Sequence, residues 1–247
     1  MKVIDLFEDN SFGDMTPKQA YEYATKCYNN HDEVPIEIEN IIANSVEDSF
    51  YYASLIMGKS FPMGEDAISK EAKYAYKYAK DILGKRWKKG EAAIATDAMS
   101  SYYYAYEVLH KPFKAGTAAI ATDAHYSRLY AKNVLKGQFK SGEPIISQNP
   151  YNALYYAIDS LKTSFPAGEA AISTIPSYYR IYLQMVYNDK LPGNAIAKLL
   201  NNKSTIKKLD KEDYDNLVKE MFPTSSLLVN KWIRFGDRLR GRINESN

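Results

Sequence analysis

The sequence predicts an all-α fold, an α-solenoid of about six two-helix repeats of 26 residues with helical caps at both ends. One observation is a series of segments that align without gaps, each starting with an aromatic residue and ending with isoleucine: 61–68, 87–94, 113–120, 139–146 and 165–172. A second is a column of tyrosines at the same spacing: Tyr52, Tyr78, Tyr104, Tyr130, Tyr156 and Tyr182. A constant period of this length is typical of solenoids, in which each unit buries its apolar faces against its neighbours.

Residues 1–33 are predicted to form an acidic N-terminal cap. Thr16 followed by Pro17 is a helix-start signal, and Ala20, Tyr23 and Ala24 continue it with the pattern of a worn repeat helix. The first fifty residues contain eleven acidic and three basic residues, a net charge of −8, so the rest of the chain carries +10. We therefore expect a molecule whose charge is unevenly distributed along its length.

The repeats are predicted to occupy residues 34–190, and each begins with a short helix of about two turns. Its Gly-Glu-x-x-Ile sequence places a glutamate near the helix N-terminus, where the helix dipole favours negative charge. The segment 35–42 is a degenerate first copy, which keeps Glu39 but lacks the aromatic residue and the glycine.

A longer helix of about twelve residues follows in each repeat. In the third repeat Ser101, Tyr104, Ala105, Val108 and Leu109 have the spacing of one apolar helical face. The tyrosine column is therefore predicted to lie in the core, with its hydroxyls at the rim. The small residues in the columns of Ser101 and Ala105 are predicted to let neighbouring long helices approach closely.

The ends of the long helices are also predicted. Asp97, Asp123 and Asn149 occupy N-cap positions, and Pro150 and Pro176 occupy first helical positions. Gly58 and Gly84 follow the last core residue, where a left-handed C-cap is favoured, but the next three repeats place His110, Lys136 and Lys162 there.

Residues 191–247 leave the period and are predicted to form a C-terminal helical cap with a basic tail. Residues 210–222 begin acidic and become apolar, which predicts one helix. Ser225 or Ser226 opens another that runs to about Arg238.

The composition argues against several classes of protein. A single cysteine, Cys27, cannot form an internal disulfide, and His31, His110 and His125 are too few and too scattered to indicate a zinc site. No nucleophile, base and orienting residue can be assembled from the chain, and no phosphate-binding loop motif is present. No apolar run approaches the ~18 residues needed to cross a bilayer. We expect a soluble, cytoplasmic, non-enzymatic protein without cofactor or metal.

Basic residues recur in the loop between one long helix and the next short helix: Lys59, Lys85, Arg86, Lys88, Lys89, Lys111, Lys114, Lys136, Lys140 and Lys162. A second group near the C-terminus comprises Lys231, Arg234, Arg238, Arg240 and Arg242 around Trp232 and Phe235. The loop lysines are predicted to line one edge, either as a solvated face that keeps the molecule soluble or as a ridge that contacts phosphates. The C-terminal group is predicted to be a capping helix with a frayed basic tail or a peptide that binds nucleic acid or a partner.

The repeat resembles one found in uncharacterised proteins of tailed bacteriophages and some large DNA viruses. The segment 130–146, Tyr-Ala-Lys-Asn-Val-Leu-Lys-Gly-Gln-Phe-Lys-Ser-Gly-Glu-Pro-Ile-Ile, is similar to the general form Tyr-Ala-Arg-Asp-Val-Ile-x-Gly-Arg-Trp-Pro-x-x-Glu-Pro-x-Ile. The resemblance covers residues 34–190; this chain uses Phe more than Trp and Glu-Ala more than Glu-Pro. It implies a viral origin, with location in the infected cell or in the virion, and no catalytic residue.

The expected function is a protein-interaction module, for which one role is to bind and inhibit a host or defence protein, since extended repeat surfaces suit that task. The alternative is sequence-independent binding of nucleic acid through the lysine edge.

Overall fold

The computed structural model describes residues 12–187, 210–221, 226–239 and 241. Helices recur about every 26 residues and pack in neighbouring pairs, which confirms an all-α fold of the solenoid type. Within the described ranges there is no strand, and no helix is long and apolar enough to cross a bilayer. The chain divides into two units, Met1–Leu135 and Lys136–Asn247.

The first unit opens with the predicted cap helix, Pro17–Asn29, after a 3₁₀ turn at Phe12–Asp14. Thr16 and Gln19 form a capping box, in which the Gln19 amide donates to Thr16 Oγ1 (3.3 Å) and the Thr16 amide donates to Gln19 Oε1 (2.9 Å). Ala20, Tyr23 and Ala24 are buried where this helix packs on the first repeat. The predicted N-terminal helix is confirmed.

Four repeats follow in the first unit. Their short helices are Ile36–Ile42, Glu65–Ile68, Glu91–Ile94 and Thr117–Ile120, the last three preceded by 3₁₀ turns at Pro62–Gly64, Lys88–Gly90 and Lys114–Gly116. Their long helices begin as α-helix at Val46–Tyr51, Ala72–Lys77, Ala98–Tyr103 and Ala124–Tyr130. Each continues directly into a π-helical segment: Tyr52–Met57, Tyr78–Leu83, Tyr104–Leu109 and Ala131–Leu135.

The second unit contains two further repeats and the C-terminal helices. A 3₁₀ turn at Lys140–Gly142 leads to Glu143–Ile146, Pro150–Tyr155 and the π-helical Tyr156–Leu161, and the last repeat has Glu169–Ile172 and Pro176–Tyr187. The predicted C-terminal helices are present as Lys211–Met221 and Ser226–Leu239, which pack against each other. Buried Tyr214 joins them, because its hydroxyl donates to the Trp232 carbonyl (2.7 Å).

The predicted N-caps are confirmed. Asp97, Asp123 and Asn149 each accept a hydrogen bond from the amide three residues later, at 2.7, 2.9 and 2.9 Å. At the other end all five C-caps are left-handed, with φ of 61° at Gly58, 59° at Gly84, 52° at His110 and 53° at both Lys136 and Lys162. Backbone geometry at the cap is thus the same whether or not the residue is glycine.

The π-helical segments are a departure from the predicted α-helical stripe. Tyr104 and Ala105 are buried as expected, with 0% of their surfaces exposed, but Val108 and Leu109 are only half-buried. A π-helix has hydrogen bonds from i to i+5 and therefore more residues per turn, so side chains past the tyrosine rotate off the α-helical stripe.

The column of small residues that includes Ser101 also packs against the glycine turn of the next repeat. A Cβ added to Gly64 would lie 2.7 Å from the Ser49 Cβ, and one added to Gly168 would lie 2.8 Å from the Ala153 Cβ. These contacts are too close for any side chain at the glycine. The small residue of one repeat therefore receives the glycine turn of the next repeat, while the long helices of successive repeats also contact each other.

The tyrosine column is core, as predicted, and its hydroxyls are hydrogen-bonded within the repeat. In the third repeat the Trp87 amide donates to Tyr104 Oη (2.9 Å), and this hydroxyl donates to Glu91 Oε1 (3.1 Å). The same arrangement joins Tyr78 to Phe61 and Glu65, Tyr156 to Phe139 and Glu143, and Tyr182 to Phe165 and Glu169. The recurring glutamate is therefore a structural acceptor as well as a helix N-terminal residue.

Candidate interaction surfaces

Two members of the predicted basic edge are engaged in ion pairs. Arg86 binds Glu91 through two hydrogen bonds, of 2.5 Å from Nε and 2.9 Å from Nη2, and these lower the pKa of the Glu91 carboxyl. Lys89 Nζ lies 2.8 Å from Asp66 Oδ1 and 3.7 Å from Glu65 Oε2, and the hydrogen bond lowers the pKa of Asp66. Since Asp66 belongs to the preceding repeat, the Lys89 pair links two neighbouring repeats.

The remaining loop lysines are exposed. Those of the first unit are Lys59, Lys85, Lys88, Lys111 and Lys114, and those of the second unit are Lys136, Lys140 and Lys162. None of these eight side chains forms a salt bridge within the described ranges. In the first unit these lysines occupy equivalent positions of successive packed repeats.

The C-terminal basic group is described only in part. Arg234 and Arg238 are exposed on the helix Ser226–Leu239, whereas Arg240 and Arg242 lie outside the described residues, as does the side chain of Lys231. Trp232 and Phe235 contact each other edge to face, with ring centroids 5.4 Å apart. This group belongs to the second unit, whereas Lys59 to Lys114 belong to the first.

The structure reveals a surface that the sequence reasoning missed, a cluster of tyrosines on the long helices of the first unit. We call Tyr76, Tyr102, Tyr103, Tyr106 and Tyr126 the tyrosine cluster. Tyr76 stacks on Tyr103 (5.9 Å between ring centroids), Tyr102 stacks on Tyr106 (5.8 Å), and Tyr126 contacts both Tyr102 (5.9 Å) and Tyr103 (6.2 Å). The rings therefore form one continuous group across three repeats.

Polar contacts between successive long helices hold the base of the cluster. The Tyr76 hydroxyl donates to Glu107, whose carboxylate also pairs with Lys80 (3.0 Å). Asn133 Nδ2 donates to the Tyr102 hydroxyl (2.7 Å). Burial raises the pKa of both tyrosines, and the Glu107 hydrogen bond raises that of Tyr76 further. Both hydrogen bonds join residues 31 positions apart. A polar side chain 31 positions after a tyrosine is therefore the sequence pattern that could have predicted these two contacts.

The outer members of the cluster face solvent. Tyr106 is 45% exposed, Tyr103 and Tyr126 are half-buried, and exposed His125 lies edge-on to Tyr126. An ordered aromatic group with hydroxyls at its edge offers apolar contact area together with hydrogen-bonding groups.

The second unit has an aromatic group of its own. Tyr151 is 45% exposed and contacts Tyr155 (4.6 Å) and Tyr178 (6.4 Å). Within the described residues these two contacts join three rings, of which Tyr151 is exposed and the other two are half-buried. The tyrosine cluster of the first unit is therefore the stronger candidate for an interaction site.

Within the described ranges no three His, Cys, Asp or Glu side chains come together as a metal site would require. Cys27 is buried in the N-terminal cap helix, His110 occupies a left-handed C-cap, and His125 lies against a tyrosine ring. No family model matches the chain, and searches of curated proteins and of solved structures also found no match.

Proposed function

We propose that this protein is a non-enzymatic protein-interaction module that binds its partner through the tyrosine cluster. The observation that carries the proposal is the continuous group of five tyrosine rings across three repeats, with Tyr106 45% exposed. Tyrosine is enriched at protein interfaces, because its ring supplies a large contact area while its hydroxyl satisfies polar groups.

The arrangement also lowers the entropic cost of binding. Tyr76 and Tyr102 are buried and hydrogen-bonded across helices, so their side chains are held in place. The other three rings of the cluster pack on these two ordered side chains. A side chain already held by its neighbours loses less conformational freedom when a partner covers it. Rigid tyrosines on a rigid scaffold are also how antibody binding sites gain affinity.

The chemistry of the partner follows from the surface. A face of aromatic rings and hydroxyls favours a protein partner that presents apolar and hydrogen-bonding groups. On the resemblance to viral repeat proteins, we further propose that the chain is phage-encoded and that the partner is a host or defence protein, which it inhibits by occupying a surface.

The test is a capture experiment with nuclease-treated lysate of a bacterial host, in which the wild-type protein is compared with a Tyr103→Ser/Tyr106→Ser variant. A protein retained by the wild type is expected to be lost with the variant, because removal of a central aromatic contact costs about 2 kcal/mol or more, roughly 30-fold in affinity. The captured protein is then purified and the Kd measured for both chains.

The matched control is Tyr151→Ser, which removes an equally exposed tyrosine from the second unit. Retention of the captured protein is expected to be unchanged. If every protein captured by the wild type binds the Tyr103→Ser/Tyr106→Ser variant equally well, the proposal is wrong.

A further inference from the structure

We propose a second, separate function: the loops of the third and fourth repeats bind the phosphate backbone of a nucleic acid duplex. Lys85 and Lys88 lie in one loop, and Lys111 and Lys114 lie at the equivalent positions of the next. All four side chains are exposed and belong to no salt bridge within the described residues. We call these four residues the phosphate patch.

The two loops are adjacent. The 3₁₀ turn Lys114–Gly116 contacts the short helix Glu91–Ile94 of the preceding repeat, and that helix directly follows the turn Lys88–Gly90. Packed helices lie about 8–10 Å apart, so the lysines form two rows one helix layer apart. Duplex DNA presents a charge about every 1.7 Å along its axis, so rows with this spacing meet phosphates without a fixed register.

Acidic residues do not neutralise the patch. Residues 82–90 and 108–122 contain neither aspartate nor glutamate. The charge of Lys88 contributes to the lowered pKa of the Glu91 carboxyl, but Arg86 already binds both oxygens of that carboxylate. The positive charge of the four lysines is therefore available to an external anion.

The fourth repeat shows one substitution that increases this charge. Thr117 stands where the other five repeats have Glu39, Glu65, Glu91, Glu143 and Glu169. Thr117 still contacts the core of the repeat, since its side chain is hydrogen-bonded to that of Tyr130 and its hydroxyl donates to the Phe113 carbonyl (3.4 Å). The repeat thus keeps its core contact and lacks the negative charge next to Lys114.

The side chains of the phosphate patch and its loops favour contact with phosphates and not recognition of individual bases. The aromatic residues of these loops, Trp87 and Phe113, are buried, with 7% and 4% of their surfaces exposed, so neither offers a ring on which a base can stack. Lysines alone contact the backbone and carry no sequence information. A duplex bound through backbone phosphates is the ligand that fits this surface.

The experiment is a fluorescence anisotropy titration of short duplex DNA against the full chain at rising salt. Four phosphate contacts predict a slope of log K against log salt of about −3.6, or roughly a 150-fold loss of affinity between about 50 and 200 mM salt. In a Lys85→Gln/Lys88→Gln variant the slope is expected to fall in magnitude by about 1.8. Thr117→Glu restores the carboxylate of the other repeats and is expected to weaken binding with the helical content unchanged.

Two control variants distinguish the contribution of the phosphate patch to binding from that of the protein's net charge. Lys73→Gln/Lys77→Gln removes the same charge from a long helix of the second repeat and should leave the slope unchanged. Arg86→Gln/Glu91→Gln removes an internal ion pair without changing net charge and should also leave it unchanged. Three results would each overturn the proposal. The first is the absence of a complex with duplex DNA at about 50 mM salt, and the second is an equal fall in slope for the Lys73→Gln/Lys77→Gln variant. The third is binding of inorganic polyphosphate but not of duplex DNA.

Discussion

The hydrogen bonds of the tyrosine column make a quantitative prediction about stability, for which the first and third repeats form a matched pair. Tyr104→Phe removes one oxygen and no packing volume. The hydroxyl accepts from the buried Trp87 amide (2.9 Å) and donates to Glu91 (3.1 Å). Without it the amide has no acceptor, and an orphaned buried donor costs about 1–3 kcal/mol.

Tyr52→Phe is the control, because the first repeat has Pro35 at the position of Trp87 and proline has no N–H. Tyr52 therefore only donates to Glu39 (2.7 Å). Both substitutions lose a bond to a glutamate, but only Tyr104→Phe leaves a buried amide without a partner. We expect Tyr104→Phe to be more destabilising than Tyr52→Phe by about 1 kcal/mol or more.

The measurement is urea denaturation of both variants followed by circular dichroism, with the m-value checked for a change in unfolding mechanism. Amide hydrogen exchange at Trp87 is an independent readout, and it should accelerate in Tyr104→Phe and remain as in the wild type in Tyr52→Phe. Equal losses of stability in the two variants would show that the hydroxyl does not satisfy the amide as the structure indicates.

Three further predictions concern the stability of the repeats. Tyr104→Ala should cost about 3–5 kcal/mol in unfolding free energy through the cavity it leaves, whereas Tyr106→Ala, on the exposed face, should cost less than about 0.5 kcal/mol; equal costs in urea denaturation would contradict the assigned faces. Burial raises the pKa of Tyr78 and of Tyr104 from 10.0 to about 12. The folded state therefore holds these protons while the unfolded state releases them, and stability that is complete below pH 10 should fall by about 2–3 kcal/mol per tyrosine as the pH approaches 12. Loss of the helical circular dichroism signal in that range, together with a late rise in tyrosinate absorbance, checks this; a folded signal that persists while all tyrosines titrate near pH 10 would contradict it. His110→Gly should raise stability by up to about 1 kcal/mol, because it removes the steric strain of a left-handed non-glycine residue (φ 52°) and this gain exceeds the entropic cost of glycine. Gly84→Ala at the equivalent cap (φ 59°) should lower stability. Thermal unfolding of both variants is the measurement.

Several features of the fold could be predicted because they depend on short-range chemistry. The N-caps at Asp97 and Asp123 follow from the preference of free helix amides for side-chain oxygens, and the helix start at Thr16 follows from the same rule. The period itself predicted that the six tyrosines of the column are buried, since a position that recurs in every unit has the same environment in every unit.

The π-helical segments and the left-handed caps at His110 and Lys136 were not predictable to the same degree. Helical periodicity assumes an α-helix, and a π-helical turn changes the positions that face the core. The structure corrects the burial of Val108 and Leu109 for this reason.

The candidate surfaces, like the fold, were predictable from the sequence only in part. The sequence by itself determined the period, the all-α class and the row of loop lysines, because each of these is repeated at a constant spacing along the chain. Only the tertiary structure decided that Arg86 and Lys89 are paired while Lys85 and Lys88 are not, and that tyrosines from three repeats meet in one cluster. Both depend on the packing of one repeat against the next or on the direction of individual side chains, and neither is encoded in residue spacing within a single repeat.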